Sequence, residues 1–252
     1  MKRMMRTVGT ILWVVLVLFS GASSAGTIQD YAKFDRAFIP PLAITQQEKV
    51  QPSKKAVEIL LKAWGELKGI YYNAPTSDEA LRKDFDKIEA LILKSKEIVG
   101  SEKNLMSAHT TLESVRYMLM ELRLRNNISY YPDLLTRFHE HMEAIYHDGA
   151  DATPEKLDED HIYALNSALE EGLQVWEAVK KAPFDPTAYG FSDEQNRTRE
   201  KLIVEETAAL NRLKSAIDNK DKPGIVAAAE GIKPKYAALY KLFGDFEKVM
   251  SK

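Results

Sequence analysis

Apolar residues recur at spacings of three and four along most of this chain, the mark of helices with one buried face. A first helix is predicted over about 53–72, with the stripe Val57, Leu60, Leu61, Trp64 and Leu67, Pro52 ahead of it and Ser53 as its N-cap. A second starts near Ser77, carries Leu81, Phe85, Ile88, Leu91, Ile92 and Ile98, and closes at Gly100. The third, about 102–125, carries Leu105, Ala108, Leu112, Val115, Leu119 and Leu122 and is broken by Asn126-Asn127. The fourth, about 132–147, carries Leu134, Leu135, Phe138, Met142 and Ile145 and ends at Asp148-Gly149. A polar connector leads to a fifth helix over about 159–181, a loop with Pro183 and Pro186, a sixth helix over about 193–219 and a seventh over about 222–249. Gly231 and Pro234 predict a kink or break in the seventh. No segment reads as a strand. The expected class is all-α, an antiparallel helical bundle of about seven helices, because short connections make successive helices antiparallel neighbours.

The chain ahead of these helices reads differently. Residues 1–25 have the form of a secretory signal peptide: basic Lys2, Arg3 and Arg6, an apolar run from Val8 to Phe19, and small Ser23 and Ala25 before a cleavage site. That run is short for a membrane span, which needs about 20 apolar residues. The alternative is an uncleaved N-terminal anchor, and no later segment is long and apolar enough to span. Residues 26–50 are expected to form an extended arm lying on the body, with Phe34, Phe38, Ile39, Leu42 and Ile44 facing inward and Pro40-Pro41 holding the backbone extended. The remainder divides into halves at 51–149 and 150–252. At an offset of 120, Leu93-Lys94-Ser95 recurs as Leu213-Lys214-Ser215, Leu105 matches Ile225, Ala108 matches Ala228 and Leu119 matches Leu239. A helix with a single Trp, Trp64 or Trp176, precedes each pair, so two related bundle halves are one reading; chance likeness between amphipathic helices is the other.

Composition narrows the function. The chain of 252 residues has no Cys, which removes disulfides, thiolate metal sites, Cys nucleophiles and a lipid-modified N-terminal Cys. The expected address is therefore periplasmic or secreted, as a soluble protein. Loss of Lys2, Arg3 and Arg6 would leave 32 Lys and Arg against 37 Asp and Glu, an acidic balance that disfavours nucleic-acid partners. Neither G-x-x-x-x-G-K nor G-x-G-x-x-G is present, and no G-x-S-x-G accompanies a nucleophile–base pair, so the reading leans away from an enzyme.

Polar chemistry concentrates in the third and fourth helices. His109, Glu113, Arg116 and Met120 are spaced four, three and four, which makes one narrow stripe. Under the offset of 120, His109, Glu113 and Arg116 map onto Ala229, Lys233 and Tyr236, so the constellation belongs to the first half only. His139 and Glu143 repeat the His-x-x-x-Glu spacing on the fourth helix, and folding about Asn127 brings Arg116 opposite His139 and Glu113 near Glu143. Imidazole with carboxylate suits Zn, Cu, Fe or Mn, with His109, Glu113, His139 and Glu143 as donors. Arg116 and Met120 are then ligand-side residues, Arg116 as an outer partner or an anion clamp. A buried hydrogen-bonded network with a Glu113–Arg116 pair is the structural alternative, and noncovalent haem on Met118 or Met120 a weaker one.

A Cys-free, exported set of antiparallel helices with His and acids at a seam resembles two kinds of periplasmic helical protein. Cytochrome b562-like proteins are similar in compartment and helix packing, which would imply haem held by Met and His. Imelysin-like proteins, linked to metal uptake, carry Gly-x-His-x-x-Glu. Here Ser107-Ala108-His109-Thr110-Thr111-Leu112-Glu113 has Ser for Gly and its Glu one residue late. The expected function is an exported binding protein taking a transition metal or small anion at the seam of the third and fourth helices, with an interaction scaffold as the competing class.

Overall fold

The computed structural model describes residues 21–251, and the basic start and the whole apolar run of the expected signal peptide lie outside them. The described residues are helical with no strand: α1 Gly21–Gln46, α2 Val50–Tyr71, α3 Glu79–Gly100, α4 Leu105–Arg125, α5 Tyr131–Ile145, a π-helical turn Tyr146–Ala150, α6 Glu159–Lys181, α7 Asp193–Asp218, α8 Lys222–Glu230, α9 Ile232–Lys241 and α10 Glu247–Met250. None is long and apolar enough to cross a membrane. The predicted helices one to six correspond to α2 to α7. The seventh is divided: Gly231 parts α8 from α9, and α10 follows as a single turn.

The largest departure lies at 26–50, where a helix replaces the expected extended arm. Proline at positions 40 and 41 removes the N–H groups that would bond the carbonyls four residues back. The Arg36 carbonyl is instead taken by the Asp245 N–H at 2.8 Å, from the loop after α9. Thr45 Oγ1 donates to the Pro41 carbonyl at 2.7 Å, tightening the turn beyond the prolines. The tertiary fold thus supplies part of what the local sequence withholds, and Tyr31, Phe34, Phe38 and Leu42 make a helical stripe that is fully buried. A smaller correction concerns Ser53. Proline needs no N–H in a first turn, so α2 starts at Val50 ahead of Pro52, and Ser53 is a buried helical residue rather than a cap.

Helix α1 packs on α2 and α4, α2 on α3, and α3 on α4; α5 packs on α6 and α9, α6 on α7, and α7 on α8 and α9. The packing groups part between α4 and α5, ahead of the expected division at 149/150, so the fourth predicted helix goes with the later set; the two groups meet through α4 with α5 and α1 with α9. Each of the two described Trp residues packs its own group: Trp64 lies against Phe34 of α1 and Phe85 of α3, and Trp176 against Phe138 of α5. One continuous apolar core runs through both groups, from Phe34 and Trp64 to Trp176 and Leu239. The π-helical turn sits close on α8, where a Cβ on Gly149 would fall 2.6 Å from that of Ala229.

Candidate functional site

Where α1, α4, α5 and α9 meet, a small cavity of about 60 Å³ remains. Helix α4 presents His109, Glu113 and Arg116 to it, successive positions of one helical stripe, and α5 presents His139, Met142 and Glu143. These include all four proposed metal donors and Arg116. Met120, one turn beyond Arg116, is buried elsewhere and does not line the space. The other walls were not foreseen: Leu42 and Gln46 from α1, and Lys233, Tyr236, Tyr240 and Lys241 from α9. Lys233 and Tyr236 are the positions that the offset of 120 pairs with Glu113 and Arg116.

Arg116 is the hub. Its Nη2 donates to Glu113 Oε1 at 3.0 Å and to His139 Nδ1 at 2.6 Å, and its guanidinium faces the rings of Tyr117 and Tyr240. Burial opposes its charge, but Tyr236, Tyr240 and Glu113 favour it more, and the group is held above its ordinary pKa. A guanidinium only donates, so His139 Nδ1 accepts, and the imidazole proton of the neutral ring sits on Nε2. That nitrogen lies 3.3 Å from Glu143 Oε1 and 3.7 Å from Glu113 Oε1. Burial, with Arg116 adding to it, keeps the His139 pKa below its ordinary value against the pull of both carboxylates. His109 Nδ1 donates to the Leu42 carbonyl at 2.9 Å, which turns its Nε2 toward Glu113 Oε1 at 3.7 Å.

Glu143 accepts from Lys233 Nζ at 2.9 Å. Burial alone would raise its pKa, but the hydrogen bonds from His139 and Lys233 outweigh that and bring it down to about 2. Two buried polar groups on the cavity have no hydrogen-bond partner among the described residues: Arg116 Nε and the hydroxyl of fully buried Tyr236. An unmet buried polar atom costs about 1–3 kcal/mol, so the space favours a guest that accepts hydrogen bonds.

The imidazoles and carboxylates do converge, but His139 Nδ1, Glu113 Oε1 and Glu143 Oε2 are already engaged by Arg116 and Lys233. Among the described residues, no group of three or more His, Asp or Glu side chains is disposed to hold a metal ion. Arg116 explains this, since it occupies His139 Nδ1 and Glu113 at once and sets a cation where a dication would sit. Organic-ligand pockets run to roughly 300–1,000 Å³, so 60 Å³ has no room for haem. No protein-family model matches this chain, and no curated protein or solved structure is significantly similar to it. Residue roles here rest on geometry alone.

Proposed function

We propose that this chain is an exported binding protein, built from two related antiparallel four-helix units, that holds one small monovalent anion in the cavity where the units meet. Support for the duplication is the parallel packing scheme: α1 to α4 pair among themselves as α5, α6, α7 and the α8–α9 pair do. A short carboxylate such as formate, or chloride, fits the space.

The observation that carries the reading is the pair of unmatched donors, Arg116 Nε and the Tyr236 hydroxyl, at a lining rich in cations. Leaving the imidazoles out of the count, Arg116, Lys233 and exposed Lys241 exceed Glu113 and Glu143 by one positive charge. A monoanion brings that set to neutrality, whereas Zn, Cu, Fe or Mn as a dication would leave three uncompensated charges. The competing reading is a scaffold whose polar network only fixes helix register, favoured by the cation that each carboxylate already holds.

Thermal unfolding at constant ionic strength separates them. Formate or chloride, exchanged for a bulky anion, is expected to raise Tm in a saturable way. Tyr236→Phe and Lys233→Gln should each remove that response while remaining folded. A Tm indifferent to anion size, or a response kept by both variants, leaves the scaffold reading standing. A rise with Zn or Mn that His139→Ala abolishes would restore the metal reading.

A further inference from the structure

In the seam cavity the buried and half-buried charges balance one another. Arg116 and Lys233 meet Glu113 and Glu143, and the remaining cation, Lys241, is exposed, where water and salt screen it. An anion placed among them is only partly compensated, and carrying an uncompensated charge out of water is costly. His139 is placed to supply the difference. It is buried, its Nδ1 accepts from Arg116 Nη2 at 2.6 Å, and the Tyr117 hydroxyl lies 3.3 Å from the same nitrogen. Burial holds the ring below its ordinary pKa; a negative charge beside it acts in the opposite sense.

The charged and titratable groups around that ring come from three helices. Helix α4 sets Glu113, Arg116 and Tyr117 against it. Helix α9 adds Tyr236, whose ring centre lies 5.5 Å away, Lys233 through its bond to Glu143, and Tyr240 behind Arg116. On α5 itself Glu143 stands 3.3 Å from Nε2. Burial raises the Tyr236 phenol well above its ordinary pKa, so its hydroxyl stays a donor. Glu171 of α6 pairs with His141 instead, and exposed His147 of the π-helical turn reaches Glu143 at 3.9 Å. The residues of α1 that line the cavity carry no charge. His109, the other imidazole there, is tied to the Leu42 carbonyl.

We infer that the anion enters this cavity together with one proton, which His139 takes up, so that the site binds the two ions of a small acid and not the anion alone. This rests on the anion reading proposed above. Once protonated, Nδ1 carries an N–H and no longer accepts from Arg116. The Tyr117 hydroxyl can turn to receive that N–H. The Arg116 N–H so released belongs to the same guanidinium as Nε, which has no hydrogen-bond partner among the described residues. The Nε2 N–H keeps Glu143 and Glu113 as its neighbours. The proton thus gives the anion one more donor and one more positive charge. By linkage, the anion tightens the proton on His139 by the same factor.

Chloride is the probe, since it takes up no proton of its own in water. Its affinity for the purified chain, read from the saturable rise in Tm at constant ionic strength, is expected to strengthen about tenfold or more from pH 8 to pH 5.5. Adding chloride to a weakly buffered solution at pH 6 should draw protons from it. His139→Asn, whose amide oxygen leaves an acceptor near the place of Nδ1, should flatten the dependence. In His109→Gln the dependence should remain, whatever becomes of the affinity itself. Circular dichroism reports the fold of each variant. Equal affinity at both pH values, binding without proton uptake, an undiminished dependence in His139→Asn, or its loss in His109→Gln would each overturn the inference and leave the anion site in place. No response to chloride at any pH would overturn both.

Discussion

Glu206 on α7 is fully buried, and neither of its carboxylate oxygens has a hydrogen-bond partner among the described residues. Burial pushes its pKa up to about 8, with Lys235 pulling only weakly the other way. The folded state therefore binds a proton that the unfolded chain releases near pH 4.5. Such a group stabilises the fold fully below its unfolded pKa, and that contribution is lost as pH rises through about 8. The loss amounts to a few kcal/mol, on the order set by the size of the displacement. Glu206→Gln mimics the protonated acid. Denaturant titration should find it about as stable as the parent at pH 5 and clearly more stable at pH 8.5; equal loss of stability in both proteins between those values would show that Glu206 is ionised in the fold. His139 has the opposite sign. Its lowered pKa gives stability present above pH 6.5 and lost as pH falls. At this scale the sequence was legible where chemistry lay on one helix: His109, Glu113 and Arg116 share a stripe and share the cavity. It was silent on Glu206, since one acid in a helix rich in acids looks solvated until its neighbours are known.

At the scale of elements, the three-and-four rhythm placed α2 to α7 to within a few residues, because each has a single buried face. Helix α1 escaped that reading although Tyr31, Phe34, Phe38 and Leu42 carry the same rhythm. Local rules give two adjacent prolines decisive weight, whereas the bond that frees Arg36 from its missing donor comes from Asp245, more than 200 residues away. For the same reason half of the cavity was out of sight, since α1 and α9 reach it only through tertiary packing. The end of α5 is another case. Asp148-Gly149 looked like a helix stop, yet the chain continues as a π-helical turn because Gly149 lets the backbone close on α8. Gly149→Ala sets a methyl 2.6 Å from the Ala229 Cβ, a backbone-to-helix contact with little slack. Overpacking of this kind costs about 1–3 kcal/mol. A fall in Cm at unchanged m is expected in urea, and Ala229→Gly in the same chain should recover part of it. A variant as stable as the parent would mean that the π-helical turn shifts freely.

For the whole molecule, the decisive feature is that the main apolar core runs through both halves, with only small clusters such as Val57, Val99, Leu105 and Ala108 apart from it. Beside the apolar contacts, one buried polar knot ties the α4–α5 junction. Arg123 of α4 holds Asp133 of α5, and Tyr130, just ahead of α5, donates to Asp35 of α1. The Arg123 guanidinium also lies 4.5 Å over the Tyr130 ring. Burial raises the pKa of Asp35 to about 6 against the pull of Arg123, so the contribution of Asp35 is full below its unfolded pKa and is lost as pH rises through about 6, whereas the Arg123–Asp133 ion pair needs Asp133 ionised. A core without a boundary should melt as one unit, so calorimetry is expected to give a single transition whose van't Hoff and calorimetric enthalpies agree. Backbone cleavage at an engineered protease site in the Asn127–Ser129 turn tests how the halves hold each other. The nick leaves Arg123 and Asp35 on one fragment and Asp133 and Tyr130 on the other. The two fragments should stay associated on gel filtration, because separation would strand a buried guanidinium; breaking such a pair costs about 3–5 kcal/mol. Asp133→Asn should weaken that association markedly and more than Asp185→Asn, whose side chain serves only its own turn. Two resolved melting transitions, or fragments that part and remain folded alone, would instead make the halves independent domains and the seam cavity a contact between neighbours.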